Sequence, residues 1–94
     1  MANENNGSGL TLDDIGETVL FDIFYEAGTR LGGVYVELMD KAEREGDLDA
    51  LRHWRERHLG LNRERRNVDP ADTEMQKRKI GEWNDRRIEL ESQL

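Results

Sequence analysis

Between Leu20 and Ala42 the apolar residues fall at Leu20, Phe24, Ala27, Leu31, Val34/Tyr35, Leu38 and Ala42. The intervals alternate between three and four, which places all of them on one side of an α-helix. Upstream, Thr11 offers an N-cap, with Asp13 in the first turn and Asp14 three residues on. That arrangement is similar to a capping box and suits the helix dipole. The pattern predicts a first helix from about Leu12 to Glu45. Gly28, Gly32 and Gly33 interrupt it, each costing up to about 1 kcal/mol relative to Ala. A bend, a break into two helices, or close packing of another helix against bare backbone would each account for them.

Gly46 suits the C′ position of that helix, and Asp47 the N-cap of the next. The second helix carries Leu48, Leu51, Trp54 or Arg55, His58, Leu61 and Arg65 on a narrower face, weakened by Gly60 and ended by Val68. Asp69-Pro70 is the clearest punctuation in the chain. Asp69 is expected to cap a third helix, with Pro70 at its first position, where a missing N–H costs nothing. Met75 or Gln76, Ile80, Trp83, Arg87, Leu90 and Leu94 form the inner face of this helix. Glu89 and Glu91 oppose the dipole at its end and predict fraying there. The best period-2 candidate, Val34-Tyr35-Val36, sits inside a helical pattern, so no strand is expected. Short connections make neighbouring helices antiparallel. The predicted architecture is all-α, a three-helix bundle with a long first helix. Residues 1–10 form a flexible N-terminal arm and residues 11–94 the helical bundle domain.

Composition narrows the picture. Ninety-four residues make one domain. Hydrophobic residues are 35% of the chain and charged ones 37%, so the core must be thin. The absence of Cys excludes disulfides and thiolate zinc sites. Apolar runs such as Val19-Leu20-Phe21 fall far short of the roughly 20 residues that a membrane-crossing helix needs. The opening Met-Ala-Asn-Glu-Asn-Asn-Gly lacks the basic and apolar parts of a secretory signal. A cytoplasmic protein without membrane contact is the expectation.

The net charge of −7 is unevenly placed. Residues 1–47 hold eleven acids and three bases, whereas residues 48–94 hold ten acids and eleven bases. The first helix is therefore an acidic rod. The second carries Arg52, Arg55, Arg57, Arg63, Arg65 and Arg66. Side by side, the two lower each other's repulsion, each exposed pair contributing about 0–1 kcal/mol. Arg52 with Arg55, and Arg63 with Arg66, recur at i, i+3, as phosphate contacts would require. Against nucleic acid stand the net negative charge, the interleaved Glu56 and Glu64, and the lack of aromatic residues among the arginines. His53 and His58, five apart, do not share a helix face, so no metal is expected. The Gly28–Gly33 stretch lacks the preceding strand and following Lys-Ser/Thr of a phosphate loop, so no cofactor is expected. No pattern suggests a desolvated carboxylate pair in a cleft, and an enzyme is not expected.

Residues 15–25 are the most informative stretch. Ile15, Val19, Leu20, Phe21, Ile23, Phe24 and Tyr25 are apolar over far more than the stripe of about 100° that a bundle helix buries. Leu20 and Phe24 take the core face. Ile15, Phe21 and Tyr25, with Asp22 among them, are the expected partner-binding residues, because large exposed apolar patches mark interfaces. Phe21 and Tyr25 should accordingly be less buried than Leu20, Phe24 and Leu31. A second copy of the chain, giving a homodimer, is one admissible partner.

Three segments carry a family resemblance: Gly46-Asp47-Leu48-Asp49-Ala50-Leu51, Arg63-Glu64-Arg65-Arg66-Asn67-Val68-Asp69-Pro70-Ala71-Asp72 and Ile80-Gly81-Glu82-Trp83. Over about residues 38–90 the chain resembles small acidic proteins of actinobacteria and related bacteria that are encoded beside zeta-type toxin kinases. The resemblance implies an antitoxin similar in role to the epsilon proteins, three-helix bundles that bind the kinase and obstruct its nucleotide site with a helix. It transfers no inhibitory motif residue by residue and assigns no site. The functional expectation is a non-enzymatic protein-binding module, an antitoxin covering the nucleotide or active site of a toxin enzyme. A phage-encoded inhibitor of a host enzyme, a self-assembling structural helical protein and a DNA-binding regulator are the alternatives.

Overall fold

A computed structural model describes residues 16–94. Helices α1 (Glu17–Arg44), α2 (Leu48–Asn67) and α3 (Thr73–Glu91) follow in order, with no strand among the described residues. The chain is an all-α three-helix bundle with a long first helix, as the spacing of apolar residues predicts. α1 runs unbroken through Gly28, Gly32 and Gly33.

α1 is the central element. It packs along both α2 and α3, whereas α2 and α3 meet each other chiefly through long side chains. Gly28 faces Arg65 and Gly32 faces His58, so α2 runs antiparallel to α1. α3 returns parallel to α1: Trp83 lies against Gly28, and Lys41 Nζ donates to the Gln93 carbonyl at 2.7 Å. Every apolar residue of the predicted α1 face, from Leu20 to Ala42, is buried. Leu61 and Val68 of the α2 side and Ile80, Trp83 and Leu90 of α3 close on that face. Phe24 stacks on Trp83 with centroids 5.3 Å apart, and Tyr35 on Trp54 at 6.0 Å. Each such side chain taken fully from water contributes about 1.5–3 kcal/mol.

The helix boundaries follow local chemistry, with three departures from expectation. First, α1 opens at Glu17 rather than Leu12. Gly16 is its N-cap with extended backbone and no side-chain cap, a position where Gly is tolerated because nothing clashes. The expected Thr11 cap and the flexible arm over residues 1–10 lie outside the described residues. Second, α3 starts at Thr73, capped by Asp72, whose carboxylate accepts from Met75 N at 3.0 Å. Asp69 and Pro70 instead build a turn. Asp69 Oδ1 accepts from Ala71 N at 2.8 Å, and its carbonyl from Asp72 N at 2.9 Å. Proline fixes φ equally well at the second position of such a turn, so Asp-Pro fits both roles. Third, Leu48 and Leu94 stand exposed rather than on the inner faces of α2 and α3. Leu48 is in the first turn of α2, and Leu94 lies past the end of α3. α3 holds its helical form through Glu91, whose carboxylate accepts from Arg87 Nη1 at 3.2 Å.

The α1–α2 connection matches its prediction. Gly46 has φ +70°, Gly46 N donates to the Glu43 carbonyl at 3.1 Å and Asp47 N to the Ala42 carbonyl at 2.9 Å. This pair of bonds is a Schellman motif, which requires a left-handed residue at C′. Asp47 then caps α2 by accepting from Ala50 N at 3.0 Å.

Among the described residues, one polar side chain lies wholly inside. Gln76 is 0% exposed, and its Nε2 donates to the carbonyls of Pro70 at 2.8 Å and Asp69 at 3.3 Å. It ties α3 to the turn before it.

Candidate partner-binding surface

The N-terminal third of α1 presents more apolar surface than the core uses. Leu20 and Phe24 point inward and are almost wholly buried. Tyr25 is 49% exposed, Val19 50% exposed, and Phe21 half-buried. The expected order of burial therefore holds. Asp22 is exposed and makes no hydrogen bond or ion pair among the described residues. Ile15, the remaining expected partner-binding residue, lies outside the described residues.

These residues form one strip. Phe21 and Tyr25 are four apart and their rings meet with centroids 6.0 Å apart. Tyr25, Asp22 and Val19 follow at intervals of three, so they are neighbours on the helix surface. Phe21 also leans on the core through Phe24, at 5.8 Å between centroids. The strip thus joins an aromatic pair to a carboxylate that has no partner among the described residues.

Tyr25 has a second task that periodicity did not disclose. The Arg65 guanidinium lies 4.0 Å above its ring. Arg65 Nη1 donates to the Tyr25 carbonyl at 2.9 Å and to Thr29 Oγ1 at 3.0 Å, and Nη2 to Asn62 Oδ1 at 3.5 Å. A cation over an aromatic face contributes about 0.5–1 kcal/mol at an exposed site. One ring face is therefore committed to Arg65 and part of the ring to Phe21, while about half of the residue stays exposed.

Charge on the surface is arranged differently from the simplest expectation. α1 and α2 are adjacent, yet no ion pair joins them among the described residues. Arg55, Arg57, Arg63 and Arg66 make no hydrogen bond or ion pair there, and neither do Glu37 and Asp40 of α1. The acidic and basic faces both stay available.

A cleft also opens between α2 and α3. Leu31 and Tyr35 of α1 form its floor, with Leu61, Gly60, Glu64, Arg57 and Arg63 on one side and Trp83 and Arg86 on the other. Glu64 bridges the two helices, accepting from Lys79 Nζ at 2.8 Å and from Trp83 Nε1 at 3.3 Å. Burial alone would raise the Glu64 pKa. The hydrogen bond and charge of Lys79, with the Trp83 indole N–H and Arg86, outweigh burial and hold it below the usual carboxylate range. Lys79 is raised in turn, chiefly by its hydrogen bond to Glu64. Sequence reading missed both the clamp and the cleft; the single available signal was Gly60 in mid-helix.

Among the described residues no helix is long and apolar enough to cross a membrane. Comparison with known proteins gives no matching family model, no matching curated protein and no matching solved structure.

Proposed function

We propose that this chain is a non-enzymatic protein-binding module acting in the cytoplasm, most concretely an antitoxin that covers the nucleotide or active site of a toxin enzyme. The observation that carries the reading is the α1 strip. Phe21, Tyr25 and Val19 leave apolar area uncovered by the bundle, and Asp22, which has no partner among the described residues, lies among them. Aromatic anchors beside a free charge suit a protein interface, where buried aromatics dominate the binding energy. An acidic α1 complements a site built for phosphates, which is basic by necessity. The resemblance to antitoxins of zeta-type kinases supplies the class of partner. Inhibition of a host enzyme by a phage-encoded chain would use the same strip.

The experiment starts with the neighbouring gene. Its product is expressed alone and together with this chain. A zeta-type kinase that arrests growth alone and is silenced by the chain, but not by Phe21→Ala/Asp22→Lys, is the expected result. Arrest that the chain does not relieve, or that the double variant relieves as well as the parent chain, would overturn the proposal.

A further inference from the structure

The cleft between α2 and α3 is distinct from the α1 strip, and its volume of about 550 Å³ falls within the range of small-ligand sites. Its floor offers little apolar area, because Leu31, Tyr35, Leu61 and Trp83 are all almost completely buried. An amphipathic helix would find nothing there to bury. The open part of the cleft is its polar wall.

That wall favours an anion. Arg57 and Arg63 of α2 make no hydrogen bond or ion pair among the described residues. Arg86 of α3 lines the opposite wall beside Tyr35, at the edge of the floor. Of the two carboxylates on the wall, Glu64 is already held by Lys79 and Trp83. Glu56 and Glu64, whose charge also reaches Arg86, set two acids against three arginines, which leaves the wall with one positive charge in excess. Gly60 keeps the α2 side open: a Cβ there would meet only the Arg63 Nη2, at 3.8 Å.

We infer that the α2–α3 cleft is a binding site for a small phosphorylated ligand, its phosphate oxygens received by Arg57, Arg63 and Arg86. Planar guanidinium groups match phosphate geometry with paired N–H donors, and they stay charged at any pH the protein meets. A phosphate dianion offers each arginine an acceptor edge at once, as a single carboxylate does not. The site makes no use of the α1 strip and stands whether or not the chain is an antitoxin.

The test follows the Gly60 amide and Trp83 indole resonances of the full chain during titration with inorganic pyrophosphate, adenosine triphosphate, adenosine and a poly-glutamate peptide. Saturable shifts at both groups with pyrophosphate, and none with adenosine, are expected. A nucleotide that binds about tenfold more tightly than pyrophosphate identifies a nucleotide as the source. Equal affinity leaves phosphate itself as the recognised group. Two variants control for general charge. Gly60→Glu sets a carboxylate among the guanidinium groups and favours the helix; it should weaken pyrophosphate binding at least about tenfold. Arg55→Gln/Arg66→Gln removes two positive charges outside the cleft and should change affinity less than about twofold. Shifts that never saturate, stronger binding of poly-glutamate than of pyrophosphate, or equal weakening by both variants would overturn the site.

Discussion

Replacing Gly28 and Gly33 separately by alanine tests how closely the three helices meet. Both residues lie inside α1, so the intrinsic gain on substitution is the same, up to about 1 kcal/mol. Their surroundings differ. A Cβ at Gly33 would meet nothing within 4 Å, whereas one at Gly28 would lie 2.9 Å from Arg65 Cδ and 3.2 Å from Trp83 Cζ3. Arginine ends usually yield, but Arg65 is held by hydrogen bonds to Tyr25, Thr29 and Asn62 and by the Tyr25 ring. Trp83 is buried against Phe24 and cannot step aside without opening the core. Overpacking of this kind costs about 1–3 kcal/mol, enough to cancel or exceed the gain. In a domain of this size each kcal/mol moves Tm by about 4–8 °C. Gly33→Ala should therefore melt several degrees higher than the parent chain. Gly28→Ala should melt at or below it, by up to about 2 kcal/mol in stability. Thermal unfolding followed by circular dichroism reads both. A rise in Gly28→Ala equal to that in Gly33→Ala would refute the close approach of α2 and α3 at this point.

The Glu64 carboxylate gives an acid dependence of known sign. Its folded pKa lies below the ordinary 4.5, so its stabilisation is present above about pH 4.5 and disappears as pH falls through the lowered value. Melting between about pH 3 and 6 should show a steeper acid loss in the parent chain than in Glu64→Gln; parallel curves would contradict the bridge to Lys79 and Trp83. Gln76→Ala should cost about 1–3 kcal/mol in denaturant unfolding, because it strands the Pro70 carbonyl and leaves a void where a fully buried side chain stood; an unchanged midpoint would show that the turn needs no such tie. Tyr25→Phe keeps the ring under Arg65 and should unfold within about 0.5 kcal/mol of the parent, whereas Tyr25→Ala should lose about 0.5–1 kcal/mol; equal stability of the two would remove the cation–ring contact from the account.

The fold was legible where a single helix face decides it. Apolar residues from Leu20 to Ala42 fix α1, because a period of 3.6 is a local property of the chain. Gly46 and Asp47 were readable for the same reason: a left-handed C′ residue and a capping carboxylate act within a few residues. The start of α3 was not readable, since Asp69 and Asp72 are both sound caps and Pro70 serves a turn as well as a helix. Long-range pairings were beyond reach. Periodicity places Arg65 on the inner edge of α2 but does not say that Tyr25, forty positions earlier, will lie beneath its guanidinium. The cleft depends on which flank of α2 turns toward α3, and that flank holds Arg57, Gly60 and Glu64 without any periodic mark. The incomplete burial of Phe21 and Tyr25 was legible too, because the run of apolar residues there is wider than the face a bundle helix buries.

The most direct test of the α1 strip is the affinity of the purified chain for the toxin enzyme proposed as its partner, measured by calorimetry for Phe21→Ala and for Ile88→Ala. Ile88 is an exposed apolar residue of α3, 59% exposed, and serves as the control for apolar area lost elsewhere. An aromatic at the centre of an interface contributes about 2 kcal/mol or more, equivalent to roughly thirtyfold in Kd. Phe21→Ala should keep its helicity and weaken the complex by that factor, with Ile88→Ala binding like the parent chain. Full-strength binding by Phe21→Ala, or an equal loss in Ile88→Ala, would contradict a partner surface on α1.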